Sequence, residues 1–578
     1  LTHANAAVRL TAVQQLTSQN EDALPWLEVL AQDVLQPIEV RAAALQRLAS
    51  MGESAAQILP AYLSDSNIEL RFAGVVGALQ SHSLEVILAA GDILSAAQND
   101  SSPEMRCFAA RVIGAVGNVG FHRNLLSLLN DSEIIVRQEA LRACQNVHHA
   151  QLWPLVLDAL HSADTRSEAR KALIAGGESA LPVIADKLHQ VDAAPVTHDL
   201  IRICGQIGGP RVNPILQTLI ATPRERVRSE VLHVLARNHY RAEPEMRPAI
   251  FEQVDAEIAA LGQLVQMSIE LPNQLSHAVQ PLSGILTQMR ARGRVRIFNL
   301  LALVYDAQDI LRVQTNLLSE QKDKRANATE VLDVILSQDR RLRDRLVPMI
   351  TAQTIADLAK HFSAPASGIA EQLRALYTQD NSQLKNNWLA ACVLYALPQL
   401  APEAANTILE SARQHPEEIV RQTAQGVLCR HNTVDGDFPM MLTIEKVLIL
   451  KTVSIFAETP DDLLAELAVY LEERDVAAGQ VIFEKGDPGD SMYIIVAGKV
   501  RVHDGDRTLN ELSDRDVFGE MALLDPAPRS ASITASEDTR LLCLDHDPFY
   551  EAVDTRSEIA RGVIQVLSQK MRGMIDEE

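Results

Sequence analysis

Aromatic side chains are scarce in this sequence. Phe, Trp and Tyr make up 4% of its 578 residues, so the 47% that is hydrophobic is mostly Ala, Leu, Val and Ile. That palette builds helices with small faces that pack closely. Cysteine is scarcer still, at Cys107, Cys144, Cys204, Cys392, Cys429 and Cys543. The six lie far apart, with no CxxC and no close His/Cys cluster. This argues against a zinc knuckle or a disulfide framework and reads as buried thiols on apolar faces, in a reducing compartment. No stretch reaches the ~18 apolar residues of a membrane helix; the longest, 447–456, is broken by Lys451. No secretory leader opens the chain, and a start at Leu1 reads as a fragment of something longer. Positive charge is short too. Lys plus Arg number 53 against 75 Asp plus Glu, a net charge of −22 that would repel a nucleic-acid backbone, so no nucleic-acid partner is expected.

Catalytic signatures are equally missing. No phosphate-loop, HExxH, GxSxG or kinase motif occurs. Asp504, Asp506 and Asp514 lack the spacing and closing Glu of a calcium loop. The expectation is a non-enzyme with no metal and no cofactor. At about 150 residues per domain the length corresponds to roughly four units, fewer if part of the chain is a repeat array.

A repeat is present. Segments such as IEVRAAALQRL (38–48), IELRFAGVVGAL (68–79), PEMRCFAARVIGAVG (103–117) and EIIVRQEALRA (133–143) each place an apolar residue near an arginine that opens an Ala/Leu-rich helix. The arginines are Arg9, Arg41, Arg71, Arg106, Arg137, Arg170 and Arg202, at gaps of 32, 30, 35, 31, 33 and 32, with Arg228 after 26 more. GESA occurs at 52–55 and again at 177–180. A period in this range means stacked helix pairs. Asp33, Asp65, Asp100 and Asp131 precede their arginines, where a carboxylate can cap a helix start. The arginine is expected to reach an aspartate of its own or the neighbouring repeat, making a ladder. This pattern resembles HEAT repeats over 1–235; 236–435 reads as diverged helical repeats, including 324–336, with the signature resuming at 417–430.

Two arginine clusters, Arg290/Arg292/Arg294/Arg296 and Arg340/Arg341/Arg343/Arg345, read mainly as solvated helix faces balancing an acidic chain. The competing reading is a surface for an anionic partner or lipid headgroups. The His148–His149 pair has no companions at metal-ligand spacing.

Near residue 475 the composition changes. GQVIFEKGDPGDSMYIIVAGKVRVHDGDRTLNEL (479–512) alternates short β-rich runs with Gly/Asp/Pro turns. A small antiparallel β-roll flanked by helices is expected over 474–578, preceded by linker helices at 436–473. Within it stands Phe518-Gly519-Glu520-Met521-Ala522-Leu523-Leu524, followed after three residues by Pro528-Arg529-Ser530-Ala531. Gly519 lets backbone approach a ligand, and 520–524 suit one short helix turn whose first N–H groups favour an anion. Arg529 supplies a planar fork for two phosphate oxygens. A carboxylate beside an anion site makes sense if it accepts from a ligand hydroxyl, which Glu520 does when the ligand is a 3′,5′-cyclic nucleotide with a free 2′-OH.

This segment resembles the phosphate-binding cassette of cyclic-nucleotide-binding domains, the family of the catabolite activator, protein kinase A regulatory subunits and cyclic-nucleotide-gated channels. The resemblance covers about 440–578 and includes Gly479, Gly486, Gly489 and Gly498 at strand turns. It implies that Gly519 and Ala522 offer backbone N–H groups, Glu520 binds the ribose hydroxyl and Arg529 the cyclic phosphate. Met521, Ser530 and Ala531 complete the ligand-binding set. Ser530 does not decide between cAMP and cGMP; cAMP is preferred. In the C-terminal helix (558–574) Leu567, Lys570, Met571 and Arg572 are candidates to cover the purine, though Leu567 and Met571 serve equally well as core.

The leading function is a cytoplasmic cyclic-nucleotide sensor whose C-terminal domain repositions a HEAT array that binds a protein partner, through the joint at 441–473. One alternative is the cytosolic part of a membrane nucleotide transporter, since the arrangement resembles that behind nucleotide-translocase-like carriers, with a membrane domain upstream of Leu1. Another is a scaffold with a non-binding domain, in which Glu520 and Arg529 pair with each other.

Overall fold

The computed structural model describes residues 3–16, 21–49, 58–190, 194–272, 274, 276–319, 321–352, 354–362, 367–378, 382–432, 441–555, 559–565 and 567–568. They form two compact units, Leu1–Leu216 and Gln217–Glu578. Among the described residues, no helix is long and apolar enough to cross a membrane.

The first unit is all helical, and its period has a local cause. Asp33, Asp65, Asp100 and Asp131 each accept the N–H of the residue two positions on, at 2.8–3.0 Å. The aspartate was expected to cap the helix itself. Instead it closes the turn one step earlier, and in the second of these repeats Asn67 is the cap, accepting from Glu69 and Leu70. The repeat arginine then folds back over the same loop. Arg106 Nη1 donates to the carbonyls of Asp100 and Ser101, both at 3.0 Å, and Arg137 Nη1 to those of Asp131 (2.7 Å) and Ser132 (2.9 Å).

The expected ladder runs through particular rungs. Arg106 forks onto Asp131 of the next repeat at 2.7 and 2.9 Å, and Arg170 reaches Asp199 at 2.9 Å. Arg71 lies over the ring of Phe108, 5.3 Å from its centroid. Small residues let the helices close up: a Cβ on Gly114 would stand 2.9 Å from Ala143 Cα. Leu45, Leu48, Phe108, Ile113, Trp153 and Leu173 fill the core, and burial of each of the leucines, Ile113 and Phe108 is worth about 1.5–3 kcal/mol. The second GESA forms the turn at Gly177–Ser179, while the first, at 52–55, lies outside the described residues. His149 stacks on His122 with ring centroids 3.8 Å apart.

The second unit begins with helices Glu225–Arg237, Arg247–Glu270 and Gln280–Ala302. The arginine device recurs there. Arg228, Arg325 and Arg421 each donate from Nη1 to the carbonyl six residues earlier, those of Thr222, Ser319 and His415, at 2.7–2.8 Å. The diverged stretch therefore keeps the loop closure of the regular repeats.

The first arginine cluster is neither a solvated face nor an open anionic-partner surface. Side chains two apart on a helix diverge, because each residue turns by about 100°. Arg292 and Arg296 share one side, Arg290 and Arg294 the other. Arg296 is 1% exposed and pairs with Glu225 and Glu257, while Arg292 grips Asp462 at 2.7 and 2.8 Å. Arg294 donates to the Ile350 carbonyl and Arg290 to Ser268 Oγ. In the second cluster Arg343 forks onto Asp333 and Arg345 pairs with Asp255, leaving Arg340 and Arg341 exposed.

Helices Thr443–Leu450 and Asp461–Ala468 lead into eight strands: β1 (Glu472–Val476), β2 (Val481–Phe483), β3 (Ser491–Ala497), β4 (Val500–Asp504), β5 (Arg507–Leu512), β6 (Val517–Phe518), β7 (Ser532–Ala535) and β8 (Thr539–Asp545). They make two antiparallel four-stranded sheets, ordered β1-β8-β3-β6 and β2-β7-β4-β5. Period-two alternation divides β3 and β8 between two cores. Tyr493, Ile495, Leu541 and Cys543 pack inside the roll with Val500, Phe518 and Ile533. Met492, Ile494, Leu542 and Leu544 face outward into a larger core that also holds Leu464, Leu467, Phe549 and Ile559.

Not all six thiols are buried as expected. Cys144, Cys204, Cys392 and Cys543 are; Cys107 is half-buried, and Cys429 on helix Glu418–Asn432 is exposed. Burial pushes the Cys144 and Cys204 thiols up to about 12 and Cys543 up to about 11.

Candidate functional site

Gly519 joins β6 to a short helix, Glu520–Leu524, and has φ +76°. This left-handed conformation suits glycine. Space demands it as well, because a Cβ there would lie 2.6 Å from Arg529 Nη1 and 2.9 Å from the Ser491 carbonyl. The Ala522 N–H, expected to face a ligand, donates to Gly519 O at 3.1 Å and closes the helical turn. The N–H groups of Glu520 and Met521 precede this first donor of the turn.

Arg529 is the centre of the site. It is 7% exposed, with Nη1 donating to Ser491 O at 2.8 Å and Nη2 to Ser491 Oγ at 3.0 Å. The guanidinium carbon lies 4.2 Å from the Phe483 ring centroid, and among the described residues the buried Nε has no hydrogen-bond partner. Its backbone is fixed too: Arg529 N–H donates to Asp487 O, and Gly486 N–H donates to Arg529 O, both at 2.8 Å. These two bonds tie the loop ahead of β3 to the loop ahead of β7. Tyr493 stacks on Phe518 with centroids 5.1 Å apart, extending the aromatic floor, and burial pushes the Tyr493 hydroxyl up.

Every protein partner of this buried cation is neutral. Among the described residues no carboxylate lies within ion-pair distance of Arg529, and no cation within that distance of Glu520. The two do not pair with each other. A desolvated charge left this way costs several kcal/mol unless an anion arrives. Glu520 is half-buried at the start of the short helix, Met521 is 69% exposed, Ser530 exposed and Ala531 half-buried. Of the cassette residues, Gly519 lies directly beside the Arg529 guanidinium.

Sequence spacing missed Phe483 and Ser491, which aim the guanidinium, and Asp487, whose carbonyl fixes the Arg529 backbone. Ser491 follows GDPGD and Phe483 ends a β run, but nothing in either pattern pairs them with a residue some forty positions on. Of the purine-covering candidates, Leu567 is 36% exposed, while Lys570, Met571 and Arg572 lie outside the described residues. Ile559, Gly562 and Val563 of the same segment are buried.

Comparison with known proteins matches residues 473–556 to the cyclic nucleotide-binding domain family and residues 91–176 to HEAT repeats. The chain is 33% identical over 129 residues to the CRP-like cAMP-activated global transcriptional regulator of Mycobacterium tuberculosis, covering 22% of this chain and 58% of that one. It is 34% identical over 134 residues to the cAMP-dependent protein kinase regulatory subunit of Dictyostelium discoideum, covering 22% and 39%. Among solved structures, the N-terminal domain of a transcriptional regulator from Streptomyces coelicolor A3(2) is 31% identical with a TM-score of 0.22, over 22% of this chain and 95% of that one. The chain spans a little over half the length, 58%, of the first of these relatives. It carries HEAT repeats and, C-terminal to them, a cyclic nucleotide-binding domain.

Proposed function

We propose that this chain is a regulatory sensor that binds a 3′,5′-cyclic nucleotide, cAMP before cGMP, at Arg529 and Glu520 without cleaving it. One observation carries the reading: Arg529 is a buried cation held only by neutral groups, beside a half-buried carboxylate with no cation of its own. A cyclic phosphate supplies the missing negative charge, and the ribose 2′-OH donates to Glu520. Gly519, Met521, Ala522, Ser530 and Ala531 line the cradle, and the segment around Leu567 closes over the purine. Relatives named as a cAMP-activated regulator and as cAMP-dependent kinase regulatory subunits support the same ligand.

In this reading ligand repositions the helical array through the joint at 441–473, and the array binds a protein partner. The functional divisions are 1–235, 236–435, 436–473 and 474–578. Isothermal titration of the full chain with cAMP and with cGMP tests the ligand. Saturable heat with either is expected, and no heat with both overturns the proposal.

A further inference from the structure

Helix Asp461–Ala468 is buried at every position but Glu466, and while Asp461 meets Lys451 at 3.2 Å, the neighbouring Asp462 carboxylate is held by charges from far away in the sequence. Asp462 is 3% exposed and receives Arg292 through two bonds, 2.7 and 2.8 Å, and Arg226 Nη2 at 2.9 Å. Behind these, Arg296 joins Glu225 to Glu257, and Arg228 Nε reaches Glu257 at 3.1 Å. Four arginines thus face Glu225, Glu257, Asp462 and Glu466, a balanced cluster that pins the helix onto Glu225–Arg237 and Gln280–Ala302. The contact is tight: a Cβ on Gly284 would lie 3.0 Å from Asp461 Oδ2.

The opposite side of the same helix belongs to the nucleotide domain. Leu464 and Leu467 share a core with Met492, Ile494, Leu542 and Leu544 on the outer face of β3 and β8. The C-terminal segment presses on the turn that feeds the helix. A Cβ on Gly562 would stand 2.8 Å from Thr459 Oγ1, and Phe549 meets Phe456 edge-on at 6.0 Å. Movement of that segment therefore has no slack before it reaches residues 459–462.

We propose that the Asp462 cluster is the coupling latch of this protein: the C-terminal segment displaces residues 459–462, and the Asp462–Arg292–Arg226 fork hands that displacement to helices Glu225–Arg237 and Gln280–Ala302. This inference rests on the cyclic-nucleotide reading above. A buried, bidentate fork suits the task because it has discrete made and broken states, so both sides bias one equilibrium.

Hydrogen exchange of the full chain with and without saturating cAMP tests it. In wild type, ligand changes exchange in 459–468 and also in 225–237 and 280–302. In R292M, which leaves Asp462 its Arg226 partner, and in D462N, cAMP still binds and still changes 459–468. The change in 225–237 and 280–302 is lost. If R292M binds cAMP and keeps the full wild-type change in those helices, the latch is refuted. If wild type binds but the change stops at residue 441, the latch is refuted while the ligand assignment stands. If wild type binds neither cAMP nor cGMP, the ligand assignment fails, and the latch with it.

Discussion

Replacing Arg529 with Leu isolates the charge on which the site depends. Arg529 is 7% exposed; its guanidinium donates to Ser491 O and Ser491 Oγ and lies over the Phe483 face, and among the described residues its Nε has no hydrogen-bond partner. Without ligand, the substitution removes an uncompensated buried cation and two hydrogen bonds to neutral acceptors. These effects oppose each other, so unliganded stability changes little. With ligand, it removes one partner of a buried charge pair, which costs about 2–5 kcal/mol. That weakens cAMP binding between about 30-fold and about 4,000-fold. Titration calorimetry gives the loss directly. Thermal melting gives an independent reading, since cAMP at about 100 times its wild-type Kd stabilises wild type by about 2.7 kcal/mol and the variant by less than about 1 kcal/mol. Equal affinity in R529L and wild type would refute the assignment of the phosphate to Arg529. A large loss of unliganded stability would refute the claim that this charge lacks compensation in the protein itself.

Four other outcomes follow from particular contacts. Glu520→Gln weakens cAMP about 10-fold to 150-fold, the worth of a charged hydrogen bond, and leaves 2′-deoxy-cAMP unaffected; equal losses for both ligands would place Glu520 away from the ribose. Gly519→Ala forces a side chain into a φ of +76°, with its Cβ 2.6 Å from Arg529 Nη1. It should lower both melting temperature and cAMP affinity, the backbone strain alone costing about 1–2 kcal/mol. Asp462→Asn tests the buried cluster by urea unfolding. Burial pushes that carboxyl up, but the Arg292 fork and the Arg226 charge outweigh it and hold it well below the usual carboxylate range. A depressed folded-state value stabilises above the unfolded value of about 3.9 and loses that contribution as pH falls toward the folded one. D462N should therefore cost about 3–5 kcal/mol at pH 7, with the deficit shrinking below pH ~4; a pH-independent deficit contradicts the assignment. Finally, a thiol reagent should label exposed Cys429 in the native protein and reach Cys144, Cys204 and Cys392 only in denaturant, measured by mass spectrometry.

Local spacing alone pointed to the class of fold and to the glycine, short helix and arginine of the proposed cradle. An arginine about every 32 residues implied stacked helices, and Arg106, Arg137 and Arg228 each close their own loop six residues back, a bond that needs no tertiary partner. Gly519, the short helix after it and Arg529 were legible for a similar reason. Positive φ and a helical turn are properties of a few consecutive residues, and the cassette is nearly contiguous. What surrounds Arg529 was not legible, since Ser491 and Phe483 meet it only when two sheets close on each other. The arginines at 290–296 were misread for the mirror-image reason. Sequence shows their charge but not their carboxylates, and Asp462, 170 residues from Arg292, becomes a partner only through helix packing. Burial then decides what such a charge does: on a solvated face it is screened and weak, whereas inside the protein an opposite charge stabilises it, as another helix's carboxylate does for Arg292 and Arg296 and as we propose a ligand does for Arg529.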